Sequence, residues 1–129
     1  MIFGIGTDIV DVNRIKNLDS LDDFVKKILS SNEKKYFENL KDIHKVSYVA
    51  KQFAGKESVA KAFGTGITGD IKFSEIQILR NKSGKPYLEP IGSFKDHIDD
   101  LGIIKTHVSL SDEKEYAIGF AILEKKWRI

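Results

Sequence analysis

Residues 53–66 read FAGKESVAKAFGTG. Wound as a helix at 100° per residue, the stretch puts Phe53, Glu57 and Lys61 on one face. Around them stand Ala54, Gly55, Ser58, Ala60 and Ala62. These are all small, so other elements can approach the helix closely on most sides. The i, i+4 spacing of Glu57 and Lys61 is also that of an ordinary surface ion pair, worth about 0.2–0.5 kcal/mol. Gly55 argues against so plain a role. Glycine inside a helix costs about 1 kcal/mol against alanine, and a helix that nothing approached would gain nothing from it.

Upstream, the helical spacing extends back to Asp42. Ile43, Val46, Val49, Ala50 and Phe53 form an apolar stripe, and the helix is expected to run to Phe63, where Gly64 and Gly66 stop it. Further back, the spacing predicts helix over 20–29, capped by Ser20, and a helical turn or two over 32–40. The chain opens with IFGIGTDIVD, residues 2–11, which alternates as a strand. Phe3, Ile5, Thr7 and Ile9 point one way; Gly4, Gly6, Asp8 and Val10 point the other. A short helix capped by Asp11 is expected to follow.

Downstream the period changes. Residues 71–81, IKFSEIQILRN, alternate as a strand. NKSGKP (81–86) is a turn, YLEP pairs back briefly, and 92–102 forms a short helix. KTHVSLS (105–111) and EYAIGFAILEKKW (115–127) are two strands joined through DEK. The order is strand, several helices, then mostly strands. That predicts one α+β domain over residues 1–129, a largely antiparallel sheet with helices packed on one face.

Bulk composition bounds the function. Of 129 residues, 41% are hydrophobic and 31% charged, an ordinary globular balance. Net charge is +2, and the only arginines are Arg14, Arg80 and Arg128. So weak a bias, with no basic stripe carrying aromatic stacking residues, argues against nucleic acid. No apolar run reaches the roughly 18 residues of a membrane span, so no membrane partner is expected. There is no cysteine and the N-terminus lacks the pattern of a signal peptide. The expected location is cytoplasmic.

Two further segments carry chemistry. In GIGTDIV, Asp8 shares its strand face with Gly4 and Gly6, which leaves room for another backbone or a ligand. The plain alternative is that the glycines only let a helix pack and Asp8 only ends the strand. The segment is neither a dinucleotide-binding fingerprint nor a P-loop. In THVSLS, Thr106, Val108 and Leu110 form one face, and His107, Ser109 and Ser111 form a hydrogen-bonding one. No acid is placed by the local sequence to orient His107, so this is not a catalytic triad.

Together these segments are specific. GIGTD (4–8), FAGKESVAKA (53–62) followed by FGTG, GKP (84–86) and HVSLS (107–111) occur in one order and spacing. In this the chain resembles the acyl-carrier-protein synthases, small stand-alone members of the 4'-phosphopantetheinyl transferases, from residue 1 to about 124.

The resemblance implies the 4'-phosphopantetheinyl transferase fold. It also implies transfer of 4'-phosphopantetheine from coenzyme A to a serine of acyl carrier protein, in fatty acid biosynthesis, with release of adenosine 3',5'-bisphosphate. Breaking a pyrophosphate requires charge to be held on oxygens, by positioning and electrostatics. By resemblance, Asp8 and Glu57 are ligands of Mg²⁺, a hard ion that keeps several waters. Asp8, Glu57 and Lys61 are catalytic, with Lys61 reaching the pyrophosphate. Lys61, Gly64, Thr65, Gly66, Lys85, Pro86, His107 and Ser109 bind coenzyme A, the Gly64–Gly66 turn offering backbone N–H groups to a phosphate. The base that activates the carrier serine stays open between Glu57 and a metal-bound water. Known members are homotrimers with sites shared between subunits, so a homotrimer is implied here. Carrier docking is implied for Arg14, Leu18, Phe24 and Lys27.

Three departures bear on this. Asp112 stands where the family has a second histidine, Gln52 stands where it commonly has arginine, and Asp19, Asp22 and Asp23 thin the positive charge expected on a surface that meets an acidic carrier. The competing readings are a coenzyme A-binding module that has lost catalysis and a small RNA-binding protein. The first needs a damaged acidic pair, yet Asp8, Glu57 and Lys61 are all present.

Overall fold

The structure is a computed structural model that describes residues 1–64 and 71–127. The expected strand–helices–strands order is what forms. Strand β1 (Ile2–Asp11) leads into α1 (Val12–Lys16), α2 (Leu21–Ile28), α3 (Ser31–Glu38) and α4 (Asp42–Ala62). Strands β2 (Ile78–Arg80) and β3 (Pro86–Leu88), helix α5 (Gly92–Asp100), and strands β4 (Ile103–Asp112) and β5 (Tyr116–Lys125) follow.

Local chemistry sets the helix starts. The Asp11 side chain accepts from Asn13 N at the head of α1, and Ser20 accepts from Asp23 N at α2. Ser30 and Glu33 form a reciprocal capping box at α3, the S-x-x-E signature of a helix start. Helix α4 ends where Gly64 turns to φ 79°, a left-handed conformation that glycine adopts at no steric cost.

The sheet has the order β1-β5-β4, all antiparallel, and β2 and β3 make a separate antiparallel hairpin. Register assigns the faces. Gly6, Ala121 and Val108 lie in one row and Asp8, Gly119 and Leu110 in the next. Helix α4 crosses this face. Its backbone comes so close that a Cβ at Gly4 would overlap the Ala62 carbonyl, one at Gly6 the Ser58 carbonyl, and one at Gly119 the Ala54 carbonyl. Gly55 has its reason too: a Cβ there would meet Ile78 Cδ1 at 2.7 Å and Leu110 Cδ2 at 2.8 Å. The core forms on either side of this contact, around Val49, Ala50 and Ala54 towards the N-terminal end of α4 and around Val59, Phe94 and Leu123 beyond it.

Two expectations fail. Residues 71–81 do not form one strand. Phe73–Glu75 make a 3-10 turn, and only Ile78–Arg80 pair. The alternation had a second cause, because the Lys72 amide is capped by Glu75 while Ile76 and Ile78 face the core. Ile43 is not part of the α4 stripe. It is 81% exposed, at the rim of an open groove between the start of α4 and Val12, Asn13 and Lys16. Among the described residues, no helix is long and apolar enough to cross a membrane.

Candidate active site

Asp8 reaches the site from β1 because Gly4 and Gly6 admit α4 against that strand. Opposite it, Lys61 Nζ donates to Asp8 Oδ1 at 2.8 Å. Lys61 thus pairs across elements, with Asp8, and not along its helix with Glu57. The bond to Asp8 and the Asp8 charge hold the Lys61 ammonium above the ordinary lysine range. Glu57 is half-buried beside them. Burial first, and then the Asp8 charge, push its carboxyl above the ordinary carboxylate range, while Lys61 and the Arg14 guanidinium pull the other way.

Next to this cluster is a cavity of about 340 Å³. One wall is α4, with Glu57, Ala60, Lys61 and Gly64; the other is Ile71, Phe73 and Ile76. The site therefore joins two carboxylates and an exposed lysine ammonium to a partly apolar slot. That combination suits a ligand with a charged end and a long, less polar arm. Among the described residues there is no group of three or more His, Asp or Glu side chains able to hold a metal. Two neighbouring carboxylates fit a hard ion that fills its remaining positions with water and substrate oxygens.

The other sequence-selected residues are distributed differently. Gly64 lines the cavity; Thr65 and Gly66 lie outside the described residues. Lys85 and Pro86 sit at the β2–β3 hairpin, whose turn is tied by Asn81 Oδ1 accepting from the amides of Ser83 and Lys85. His107 and Ser109 project from the sheet face opposite Asp8, alongside Ile5, Thr7, Phe120 and Ile122. One chain therefore brings Asp8, Glu57, Lys61 and Gly64 together and leaves His107, Ser109, Lys85 and Pro86 apart from them.

Arg14 and Lys27 are exposed on α1 and α2, and Leu18 lies between those helices. Phe24 is half-buried, its ring packed edge-on against Phe53 at 5.2 Å. Phe53 in turn lies 5.9 Å from Phe73 of the cavity wall. The departures have structural partners. Asp112 Oδ1 lies 3.4 Å from Lys51 Nζ. Gln52 is buried, donating to Glu33 and to the Ile78 carbonyl while accepting from Arg80.

Sequence reasoning missed two things. Glu124 Oε2 lies 2.7 Å from His107 Nε2, a diagonal cross-strand contact that no local pattern reveals; the bond to His107 holds the Glu124 carboxyl below its usual range. Lys56 and Glu33 form a fully buried ion pair at 2.7 Å. The capping-box spacing of Ser30 and Glu33 was the available signal for where Glu33 stands. Burial pushes the Lys56 ammonium down from the ordinary lysine value, and Glu33 opposes that shift.

The family profile described as "4'-phosphopantetheinyl transferase superfamily" matches residues 4–121. The chain belongs to the 4'-phosphopantetheinyl transferase superfamily. Within it, the chain is 44% identical over 127 residues to a holo-[acyl-carrier-protein] synthase of Blochmanniella pennsylvanica, covering 97% of this chain and 100% of that one. Among solved structures it resembles the holo-[acyl-carrier-protein] synthase of Neisseria meningitidis, with TM-score 0.88 and 38% identity over 97% of this chain and 100% of the other. It also resembles that of Bacillus anthracis in complex with CoA (3',5'-ADP), with TM-score 0.82 and 36% identity over 98% and 99%. The α+β transferase fold expected from the motifs is the one observed.

Proposed function

We propose that this phosphopantetheinyl transferase is a holo-acyl-carrier-protein synthase, which moves 4'-phosphopantetheine from coenzyme A to a carrier serine and releases adenosine 3',5'-bisphosphate. The observation that carries the reading is the meeting of Asp8, Glu57 and Lys61 at the mouth of the α4 cavity. Coenzyme A has the matching shape, a pyrophosphate at one end of a long arm.

In this reading the carrier serine oxygen attacks the phosphorus that bears the pantetheine arm, and the bond to the bridging oxygen of the pyrophosphate breaks. Lys61 places its ammonium against the pyrophosphate oxygens and steadies the departing phosphate. In this reading the serine proton goes to Glu57. Asp8 and Glu57 are the residues that would hold Mg²⁺, which supplies charge neutralisation on the phosphate oxygens. Ile71, Phe73 and Ile76 give the arm a dry wall. Arg14, beside Glu57, and Lys27 offer positive charge to an acidic carrier, with Leu18 and Phe24 as the apolar part of that surface.

His107, Ser109, Lys85 and Pro86 enter this reading through a second copy of the chain. The sheet face that carries His107 also exposes Ile5, Ile9, Ile118 and Phe120, two of them at about 60%. Such a patch favours association. A homotrimer in which these residues complete a neighbour's coenzyme A site accounts for both features. A cytoplasmic location is part of the same proposal, and cell fractionation tests it.

The deciding experiment incubates the protein with apo acyl carrier protein, coenzyme A and Mg²⁺ and weighs the carrier by mass spectrometry. A gain of one phosphopantetheine, lost when the carrier serine is replaced by alanine, supports the reading. Coenzyme A binding without any gain would make the chain a binding module instead.

A further inference from the structure

Lys56 stands one residue before Glu57, about 100° further back around α4, and is completely buried. Its ammonium has three donors and uses all of them. One goes to Glu33 Oε1 at 2.7 Å, one to the Phe73 carbonyl at 2.9 Å, and one to the Ile76 carbonyl at 2.7 Å. Phe73 and Ile76 are wall residues of the α4 cavity. The opposite wall is α4 itself. The chain that joins the two walls, residues 65–70, lies outside the described residues.

Glu33 is fixed in turn. Its Oε1 caps the Ser30 amide at 2.9 Å, and its Oε2 accepts from Gln52 and from the Ile78 amide at 3.3 Å. Ser30 Oγ donates to Gln77 at 2.7 Å. Asn32 Nδ2 donates to the same Gln77 oxygen at 3.3 Å, and Gln52 donates to the Ile78 carbonyl at 3.0 Å. The network thus holds residues 73–78 to α3, its cap Ser30 and α4 at six points while touching none of Asp8, Glu57 or Lys61. Burying an ion pair is a poor way to gain stability alone, since an apolar pair of the same volume often serves as well or better. Apolar side chains, however, cannot hold two carbonyls in place.

We propose that Lys56, clamped by Glu33, is a positioning residue that fixes the separation between the Phe73–Ile76 wall and α4, and so sets the fit of the pantetheine arm. This rests on the reading of the cavity as the coenzyme A site. The contribution acts on binding and alignment of coenzyme A; the groups at the pyrophosphate are untouched.

The test uses Lys56→Met and the double variant Lys56→Met/Glu33→Gln, with coenzyme A affinity measured by calorimetry, transfer kinetics by mass spectrometry, and melting by circular dichroism. The single variant leaves a buried carboxylate unpaired and melts early. The double variant removes both charges and recovers much of the melting temperature. Its coenzyme A affinity nevertheless stays weaker by about tenfold or more, since small displacements of a positioning wall are costly. A double variant that regains both stability and wild-type affinity overturns the proposal and makes the network fold glue only. A second measurement needs no variant: coenzyme A should slow hydrogen exchange at the Ile76 and Ile78 amides of the wild-type protein, and unchanged exchange there overturns the proposal as well. Wild-type protein that binds no coenzyme A at all would instead overturn the reading of the cavity.

Discussion

Lys61 and Asp8, 53 residues apart in sequence, are joined by a 2.8 Å charged hydrogen bond between α4 and β1. The bond leaves Glu57 without its helical neighbour as a hydrogen-bond partner, so it feels Lys61 and Arg14 only through their charge while the Asp8 carboxylate stands beside it. Such an arrangement favours a further positive charge. Asp8→Ala and Glu57→Ala should each lower phosphopantetheine transfer by about a hundredfold or more, the usual scale for a lost charge-stabilising group. Circular dichroism should show both variants folded. Near-normal transfer at low Mg²⁺ by either variant would show that the pair does not hold the metal.

Lys61→Ala should weaken coenzyme A binding in calorimetry and slow transfer, and Lys61→Arg should restore only part of both. A compact ammonium and a planar guanidinium address phosphate oxygens differently. Unchanged affinity in the alanine variant would confine Lys61 to its bond with Asp8.

The glycines of β1 make a prediction about stability. A Cβ at residue 6 overlaps the Ser58 carbonyl and comes within 2.7 Å of the Ala62 nitrogen. Helix backbone cannot rotate away as a side chain would. Gly6→Ala should therefore cost about 3 kcal/mol or more, the upper end for overpacking, and move Asp8 away from α4. Urea denaturation measures the first effect and the loss of transfer the second. A variant as stable as wild type would mean that α4 can lift from the sheet at little cost.

Docking should respond to charge. Arg14→Glu should raise the KM for an acidic carrier much more than that for coenzyme A, because charge reversal slows encounter as well as removing a contact. Asp22 and Asp23 are exposed in the first turn of α2. Replacing both with lysine should tighten carrier binding, most at low salt. Carrier kinetics insensitive to Arg14→Glu would place the docking surface elsewhere.

The bare sheet face predicts assembly. Light scattering should give a mass near three times 14.6 kDa. Ile9 and Ile118 are cross-strand neighbours, 61% and 43% exposed. Lysine at both should yield a folded monomer with impaired transfer, since His107 would no longer reach a neighbour's site. A fully active wild-type monomer would end the shared-site proposal.

Much of this protein was legible in its sequence because the relevant signals are local. Helix α4, the Asp11 and Ser20 caps of α1 and α2, and the alternation of β1, β4 and β5 follow from neighbours a few residues apart. So does the placing of Asp8 on the glycine face and of Glu57 and Lys61 on one side of α4. The small residues of 53–62 announced close packing, although not that the helix backbone itself would lie against Gly4, Gly6 and Gly119. Tertiary structure decided which charges meet. Lys61 faced a partner four residues away in the helix and took one from another strand, because the glycines drew β1 within reach. Lys56 and Glu33 look like solvated charges in a lysine-rich chain; they are buried because α3 and the 73–78 segment close over them and supply every hydrogen bond they need. His107 lies on the opposite sheet face from Asp8 because a strand alternates its side chains and α4 covers only one face. Periodicity can be read along a chain, but the partner of a buried or paired charge depends on contacts between segments far apart in it, and those exist only once the chain has folded.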